Sequence, residues 1–121
     1  MSVDQVGRAR EIVPIVSVQN RYSIGDRDSD SLVEACERDD IPFIPWWPLG
    51  AGQLSTDGPI GRIAKAHDAT PFQIAIAWLL ARSPVMLPIP GTSSVEHLEE
   101  NVAAAALRLT QEEFEELSAL V

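Results

Sequence analysis

Short apolar segments alternate with capped amphipathic segments along the sequence, and no hairpin signal such as Asn-Gly joins two apolar segments. The apolar segments are rich in β-branched residues and predict strands over 12–18, 41–46 and 85–89. Because strands separated by helices pair in parallel, this order predicts an α/β fold built from βα units. The segment 12–18 is apolar on both faces, so it is expected to be buried on both sides. Residues 20–25 are predicted to form a loop.

Capping residues mark where the predicted helices begin. In a capping box, the N-cap side chain and a side chain three residues later each satisfy a free backbone N–H group. Four pairs have this spacing: Ser2 with Gln5, Thr70 with Gln73, Ser93 with Glu96, and Thr110 with Glu113. The acidic run 26–30 predicts a further helix start, since carboxylates favour the positive end of a helix dipole. Another start is predicted near Pro59.

The spacing of apolar residues predicts which helix faces are buried. The helix that follows Thr70 is apolar on all sides over 74–81, so most of its circumference should contact protein. Leu98, Val102 and Ala105 recur at helical spacing and predict the inner face of the next helix.

Isolated polar and aromatic residues are interpreted as structural. Tyr22 is interpreted as a loop aromatic, and Lys65 and His67 as solvated surface residues. Cys36 is the only cysteine, so it cannot form an intrachain disulfide and is interpreted as core filler.

Composition narrows the class of protein. The 121 residues suit one domain covering 1–121. Nine basic against 18 acidic residues give a net charge of −9, which argues against nucleic acid as a partner. No segment reaches the roughly 18 apolar residues of a membrane helix, and the first residues lack signal-peptide features. A cytoplasmic protein that does not bind membranes is therefore expected, and no metal site is predicted.

Three parallel strands allow two architectures. They form either a minimal doubly wound layer or an arc of a closed (β/α)₈ barrel, which typically has about 250 residues. The strand and helix pattern by itself does not choose between them.

Four segments together resemble the C-terminal half of an aldo-keto reductase. They are 18–23 (VQNRYS), 43–50 (FIPWWPLG), 88–94 (PIPGTSS) and 99–101 (EEN), and they occur in the family's order. The resemblance covers essentially the whole chain and implies a partial TIM barrel, with the strands belonging to the sixth to eighth βα units. The first five strands would lie outside this sequence, which would make it a truncated barrel.

The resemblance implies an oxidoreductase that moves a hydride between nicotinamide and a carbonyl or alcohol. The family's catalytic Asp, Tyr, Lys and His match no residue here, so no catalytic residue is assigned and the chain alone is expected to be inactive. The alternative is a non-catalytic nucleotide-binding or interaction module. Exposed edges of a parallel sheet also lead us to expect self-association or a complementing barrel half.

The resemblance implies a set of residues that bind a nicotinamide dinucleotide. Gln19 would contact the nicotinamide carboxamide, and Trp46 would stack on the nicotinamide ring. Backbone N–H groups after the second strand would face the phosphates. The hydroxyl-rich loop 90–94 would hold the adenosine phosphate, and Glu100 and Asn101 would bind the amino edge of adenine. The full set is Gln19, Trp46, Pro48, Leu49, Gly50, Pro90, Gly91, Thr92, Ser93, Ser94, His97, Glu100 and Asn101.

The preference between NADP and NAD depends on two of these positions. NADP-preferring relatives usually place a Lys and an Arg where this chain has Gly91 and His97. The 2′-phosphate of NADP would therefore rely on hydroxyls, N–H groups and a protonated His97. The resemblance favours NADP as cofactor, with NAD as the other candidate.

Overall fold

The computed structural model describes residues 1–48, 54 and 56–121. Within these ranges the secondary structure follows the predicted alternation of helix and strand. In chain order the elements are α1 (Val3–Arg10), β1 (Val18–Arg21), α2 (Asp30–Arg38), β2 (Phe43–Trp46), α3 (Pro59–Ala66), α4 (Pro71–Arg82), α5 (Val95–Ala103), the 3₁₀ turn Ala104–Ala106 and α6 (Gln111–Ser118). The α/β class is therefore confirmed.

The sheet has two parallel strands and one parallel bridge. β1 and β2 pair in parallel, with Val18 opposite Phe43. On the other side of β2, the N–H of Phe43 donates to Val85 and the N–H of Leu87 donates to Phe43, each at 2.9 Å. The next residue of β2 on that side is Pro45, which has no N–H to donate. The predicted third strand is therefore reduced to a single bridge, between Phe43 and Met86.

The first strand lies further along the chain than the segment 12–18. The N–H groups of Ile12 and Val13 both bond to the carbonyl of Ala9 at 3.0 Å, so the chain is still turning after α1. The side chains of Ile12 and Val16 are 87% and 81% exposed. The prediction that this segment is buried on both sides is therefore wrong.

In the structure, the loop after β1 begins at residue 22, two residues later than the predicted loop over 20–25. Asn20 and Arg21 belong to β1, where they pair with β2. The chain then turns sharply, and Ser23 and Asp26 form an antiparallel bridge through bonds of 3.0 and 3.1 Å.

Three of the four predicted capping boxes are confirmed. Both reciprocal bonds are present at Ser2 with Gln5, at Thr70 with Gln73, and at Thr110 with Glu113. The fourth is wrong by one residue, because Ser94 rather than Ser93 caps α5 and its hydroxyl accepts from the N–H of His97 at 3.3 Å.

Aromatic rings occupy the centre of the core. Trp78 of α4 is fully buried and stacks on Tyr22 and Phe114, with ring centroids 6.0 and 6.1 Å away. Tyr22 also meets Phe43 edge-on at 5.8 Å. Tyr22 lies in the loop that follows β1, as predicted, and its side chain is 0% exposed and packs in the core against α4.

A polar network surrounds the buried hydroxyl of Tyr22. This hydroxyl donates to Asp30, and the same carboxylate lies 3.2 Å from Arg82 and 3.3 Å from Arg27. Burial alone would raise the pKa of Asp30, but the hydrogen bond from Tyr22 and the charges of both arginines hold that pKa below its usual range. The network joins the start of α2 to the end of α4.

Replacing Asp30 with asparagine should lower the free energy of unfolding at pH 7 by about 1–2 kcal/mol, since the side chain is partly solvated and screened. The pKa of Asp30 is lower in the folded chain than the roughly 3.9 of an unfolded aspartate. The stabilisation is therefore complete above that unfolded value and is lost as the pH falls through the folded one.

Urea denaturation of the wild type and Asp30→Asn at pH 7 and pH 3 tests this expectation. The difference in unfolding free energy should shrink at pH 3. Asp28→Asn is the matched control, because Asp28 is exposed and its replacement should cost under about 0.5 kcal/mol. A difference for Asp30→Asn that stays constant between the two pH values would contradict the account.

Two smaller interpretations have different outcomes. Cys36 is 1% exposed and belongs to the core cluster, as expected for core filler, and burial raises the pKa of its thiol. Lys65 is exposed, as expected. His67 is not simply solvated, because its Nε2 atom lies 2.9 Å from Glu113 and connects α3 to α6.

Apolar side chains of α4 and α5 line a groove between the two helices. α4 buries residues 74–79, as its pattern predicts, but Leu80 is 37% exposed. Leu98 and Val102 are 52% and 67% exposed, so the prediction that they form an inner face is wrong. With Ile76 and Leu80 of α4 they line a groove of about 410 Å³.

Among the described residues, no helix has the length and apolar character needed to span a membrane.

Candidate functional site

The expected nicotinamide contacts lie on the two paired strands. Gln19 is an exposed residue of β1 and pairs with Ile44 of β2. Trp46 is the last residue of β2, opposite Arg21, and is 43% exposed. Trp46 therefore lies at the carboxyl-terminal edge of the sheet, where α/β proteins bind their ligands, whereas Gln19 lies two residues before the end of β1.

A stacked pair that the sequence did not reveal lies beside Trp46. The guanidinium of Arg21 is 4.2 Å from the ring centroid of Trp47, and Arg21 is also 2.7 Å from Asp26. Trp47 has a φ of 59°, in a region that bulky residues rarely occupy. The guanidinium of Arg21 covers one face of the Trp47 ring, and the backbone of Trp47 is strained.

The phosphate-facing turn after β2 is only partly described. Pro48 is buried. The expected contacts at Leu49 and Gly50 lie outside the described residues.

The hydroxyl-rich turn before α5 is organised by its own side chains. The hydroxyl of Thr92 accepts from the N–H of Ser94 at 3.1 Å, and the hydroxyl of Ser94 accepts from the N–H of His97 at 3.3 Å. Thr92 and Ser93 remain exposed. A helix N-terminus with exposed hydroxyls nearby has the chemistry of an anion site.

The start of α5 also forms one wall of a cleft of about 150 Å³. Five of the expected cofactor-binding residues line it, together with Phe72 of α4, which the sequence analysis did not select. The lining residues are Phe72, Gly91, Thr92, His97, Glu100 and Asn101.

The expected cofactor-binding residues therefore do not all lie in the cleft. Pro90 lines the apolar groove between α4 and α5 rather than the cleft. Gln19 and Trp46 are on the strands and do not line the cleft either.

A side-chain link from α4 holds α5 in place. The side-chain oxygen of Gln73 accepts from the N–H of Thr70 at 3.0 Å, and its NH₂ group donates to the carbonyl of Glu100 at 2.9 Å. The capping box predicts the first bond but uses only the oxygen of the amide. The NH₂ group is left over by the capping box, and its bond to Glu100 is visible only in the structure.

The cleft has one carboxylate, that of Glu100, and one histidine, His97, in its lining. Glu96, Glu99 and Glu100 belong to α5, and the sequence has no Lys or Arg between Arg82 and Arg108. Within the described residues, no group of three or more His, Cys, Asp or Glu side chains is arranged to hold a metal ion.

Comparison with known proteins identifies the family. The chain matches the aldo/keto reductase family over residues 1–121. It is 48% identical over 118 residues to an uncharacterized oxidoreductase of Schizosaccharomyces pombe, covering 97% of this chain and 39% of that protein. It is 47% identical over 108 residues to pyridoxine 4-dehydrogenase of Escherichia coli, covering 89% and 38%.

Solved structures have the same fold. The chain superposes with a TM-score of 0.94 on a thermostable aldo-keto reductase in complex with the inhibitor epalrestat, at 35% identity, covering 100% of this chain and 46% of that one. The TM-score is 0.88 for an aldo-keto reductase of Klebsiella pneumoniae in complex with NADPH, at 25% identity, covering 99% and 45%.

The parallel βα units and these matches define an α/β chain with the fold of the aldo-keto reductases. The chain belongs to the aldo/keto reductase family. It spans about two fifths of the length of the curated relatives it matches.

Proposed function

We propose that this chain is the cofactor-binding half of an NAD(P)H-dependent aldo-keto reductase, corresponding to the sixth to eighth βα units of the barrel. The observation that carries the proposal is the cleft beside α5, which brings together five of the residues expected at the adenosine end of the cofactor. The Klebsiella pneumoniae relative in complex with NADPH supports it.

Each part of the site has a role suited to its chemistry. Gln19 offers one donor and one acceptor to the nicotinamide carboxamide, and Trp46 offers a ring face. The hydroxyls of Thr92 and Ser93 bind phosphate oxygens. Asn101 and the carboxylate of Glu100 bind the amino edge of adenine. These residues come from three βα units that one half of the barrel supplies.

Proton donation to a carbonyl is not part of this proposal. The chain's only tyrosine is Tyr22, whose ring is fully buried and whose hydroxyl donates to Asp30. Burial is the larger cause that raises the pKa of Tyr22, and the hydrogen bond to Asp30 raises it further. Such a hydroxyl holds its proton and does not face a substrate, so the proposed role of the chain is to bind the dinucleotide rather than to complete the reduction.

The chain should bind NADP weakly, and His97→Arg should tighten NADP roughly 5- to 30-fold, because a guanidinium forms charge-assisted bidentate bonds with a phosphate. NAD lacks the 2′-phosphate, so its affinity should not change. Isothermal titration calorimetry with NADP and NAD measures these affinities.

The matched control for His97→Arg is Gln111→Arg, which adds the same charge at an exposed position on α6, outside the cleft. It should leave both affinities unchanged. Failure of NADP and NAD to bind the wild type would refute the proposed function. Equal tightening of NAD by His97→Arg would show that the arginine does not meet the 2′-phosphate.

A further inference from the structure

Arg21 presents a partly unpaired guanidinium at the carboxyl end of β1. It is the last residue of that strand and pairs with Trp46, the last residue of β2. Alternate residues of a strand share a face, so Arg21 projects from the same face as Gln19. Its side chain is 48% exposed. The sequence analysis gave this residue no role.

Two neighbours hold the guanidinium in a fixed orientation. Its Nε atom lies 2.7 Å from a carboxylate oxygen of Asp26, and its central carbon lies 4.2 Å from the ring centroid of Trp47. The backbone is held as well, because the hydroxyl of Ser29 donates to the carbonyl of Arg21 at 3.2 Å. A side chain that is already oriented loses little further freedom when a ligand binds.

The terminal amino groups of Arg21 are left for a further partner. Asp26 lies at the Nε atom, and within the described part of the chain neither Nη1 nor Nη2 has a hydrogen-bond acceptor. These two groups form the fork with which arginine binds a planar anion bidentately. Trp47, which supports the fork, has a φ of 59°, and strained residues of this kind cluster at ligand-binding sites.

The position of Arg21 in the sheet determines which anion it can meet. β2 pairs with β1 on one side and bridges to Met86 on the other. The segment with Met86 leads to the turn before α5, so the adenosine cleft belongs to the other side of β2 from Arg21. The proposed function assigns the nicotinamide to Gln19 and Trp46. An anionic group beside them is therefore part of the molecule that exchanges hydride with the nicotinamide.

We propose that Arg21 is a specificity-determining residue that binds a carboxylate group of the carbonyl substrate, with the ring of Trp47 supporting the guanidinium. The inference rests on the proposed function, since it takes the nicotinamide end of the cofactor as its reference point. A singly charged carboxylate suits the site better than a doubly charged phosphate, because Asp26 repels a second negative charge. The substrate class is an aldehyde or ketone that also carries a carboxylate.

The first test compares two aldehydes of similar planar shape. 4-Carboxybenzaldehyde carries the charge, and 4-formylbenzamide does not. With NADP present, the wild type should bind the carboxylate roughly 3- to 10-fold more tightly than the amide, measured by NMR titration of the Trp47 indole N–H signal. This preference should shrink at high salt, since an exposed guanidinium is screened.

Two substitutions should change the preference in opposite directions. Arg21→Gln removes the fork and should abolish the preference, whereas Asp26→Asn removes a competing carboxylate and should increase it roughly 2- to 5-fold. Neither should change the affinity for 4-formylbenzamide. Arg8→Gln is the matched control, because it removes the same charge from an exposed position on α1 and should have no effect.

The outcomes separate this inference from the proposed function. If the wild type shows no preference, or if Arg21→Gln retains it, the inference is wrong while NADP binding still supports the proposed function. Tighter binding of 4-formylphenyl phosphate than of 4-carboxybenzaldehyde would overturn the assignment of a carboxylate.

A further outcome concerns the cofactor itself. If Arg21→Gln weakens NADP and NAD by the same factor and leaves the aldehydes unchanged, the fork binds the diphosphate of the cofactor and the inference is wrong. If the wild type binds neither NADP nor NAD, the proposed function fails and the assignment of a substrate group fails with it.

Discussion

Trp78→Ala should lower the free energy of unfolding by about 3–5 kcal/mol, the usual cost of removing a large buried aromatic side chain. The ring is 0% exposed and stacks between Tyr22 and Phe114. Its Nε1 atom donates to the hydroxyl of Ser118 at 3.0 Å, and the guanidinium of Arg27 lies 5.0 Å from the ring centroid. Alanine would leave a cavity and remove all of these contacts at once.

Denaturant unfolding followed by circular dichroism measures this loss. Trp46→Ala is the matched control, because Trp46 is 43% exposed at the end of β2. It should cost under about 1 kcal/mol of stability. Similar losses in the two variants would show that Trp78 does not occupy the centre of the core.

Gly61→Ala should destabilise the chain by about 3 kcal/mol or more, because its new methyl group has no room. A Cβ atom at Gly61 would lie 1.8 Å from the carbonyl oxygen of Thr56 and 2.4 Å from its carbonyl carbon. These are backbone atoms, so relief requires moving the chain before α3 rather than turning a side chain. Helix propensity alone predicts the opposite sign, a gain of roughly 0.5–1 kcal/mol.

Gly7→Ala in α1 provides the comparison for Gly61→Ala. Within the described part of the chain, no heavy atom beyond its immediate surroundings lies within 4 Å of a Cβ built at Gly7. This variant should therefore be neutral or gain up to about 1 kcal/mol. Thermal and urea denaturation of both variants should give effects of opposite sign, and a stabilising effect at Gly61 would contradict the close approach of Thr56.

Helix starts could be predicted because their signals are local. Thr70 and Gln73 are three residues apart, and each satisfies the backbone of the other whatever the rest of the chain does. Strand extents depend on a distant partner. Pro45 interrupts the ladder between β2 and the segment 85–89, and only the observed register places it where a donor is needed.

The candidate site also contains some residues that the sequence could predict and others that it could not. Family resemblance selected Glu100 and Asn101, and these line the cleft with the turn that precedes α5. Phe72 could not be selected, because it precedes a segment, 74–81, that is apolar on all sides, and nothing in the sequence distinguishes an outward phenylalanine from a core residue. The stacking of Arg21 on Trp47 depends on a backbone angle that the sequence does not encode locally.

The double role of Gln73 makes the cleft part of an opening equilibrium. Fraying of the first turn of α4 would break the bond to Thr70 and the bond to Glu100 together, so the cap of α4 and its hydrogen bond to α5 would be lost in one step. A ligand that favours the closed arrangement must, by linkage, protect that first turn from local unfolding. Trp78 lies on the same helix and is buried in the core. Ligand binding in the surface cleft should therefore also make the core around Trp78 more rigid.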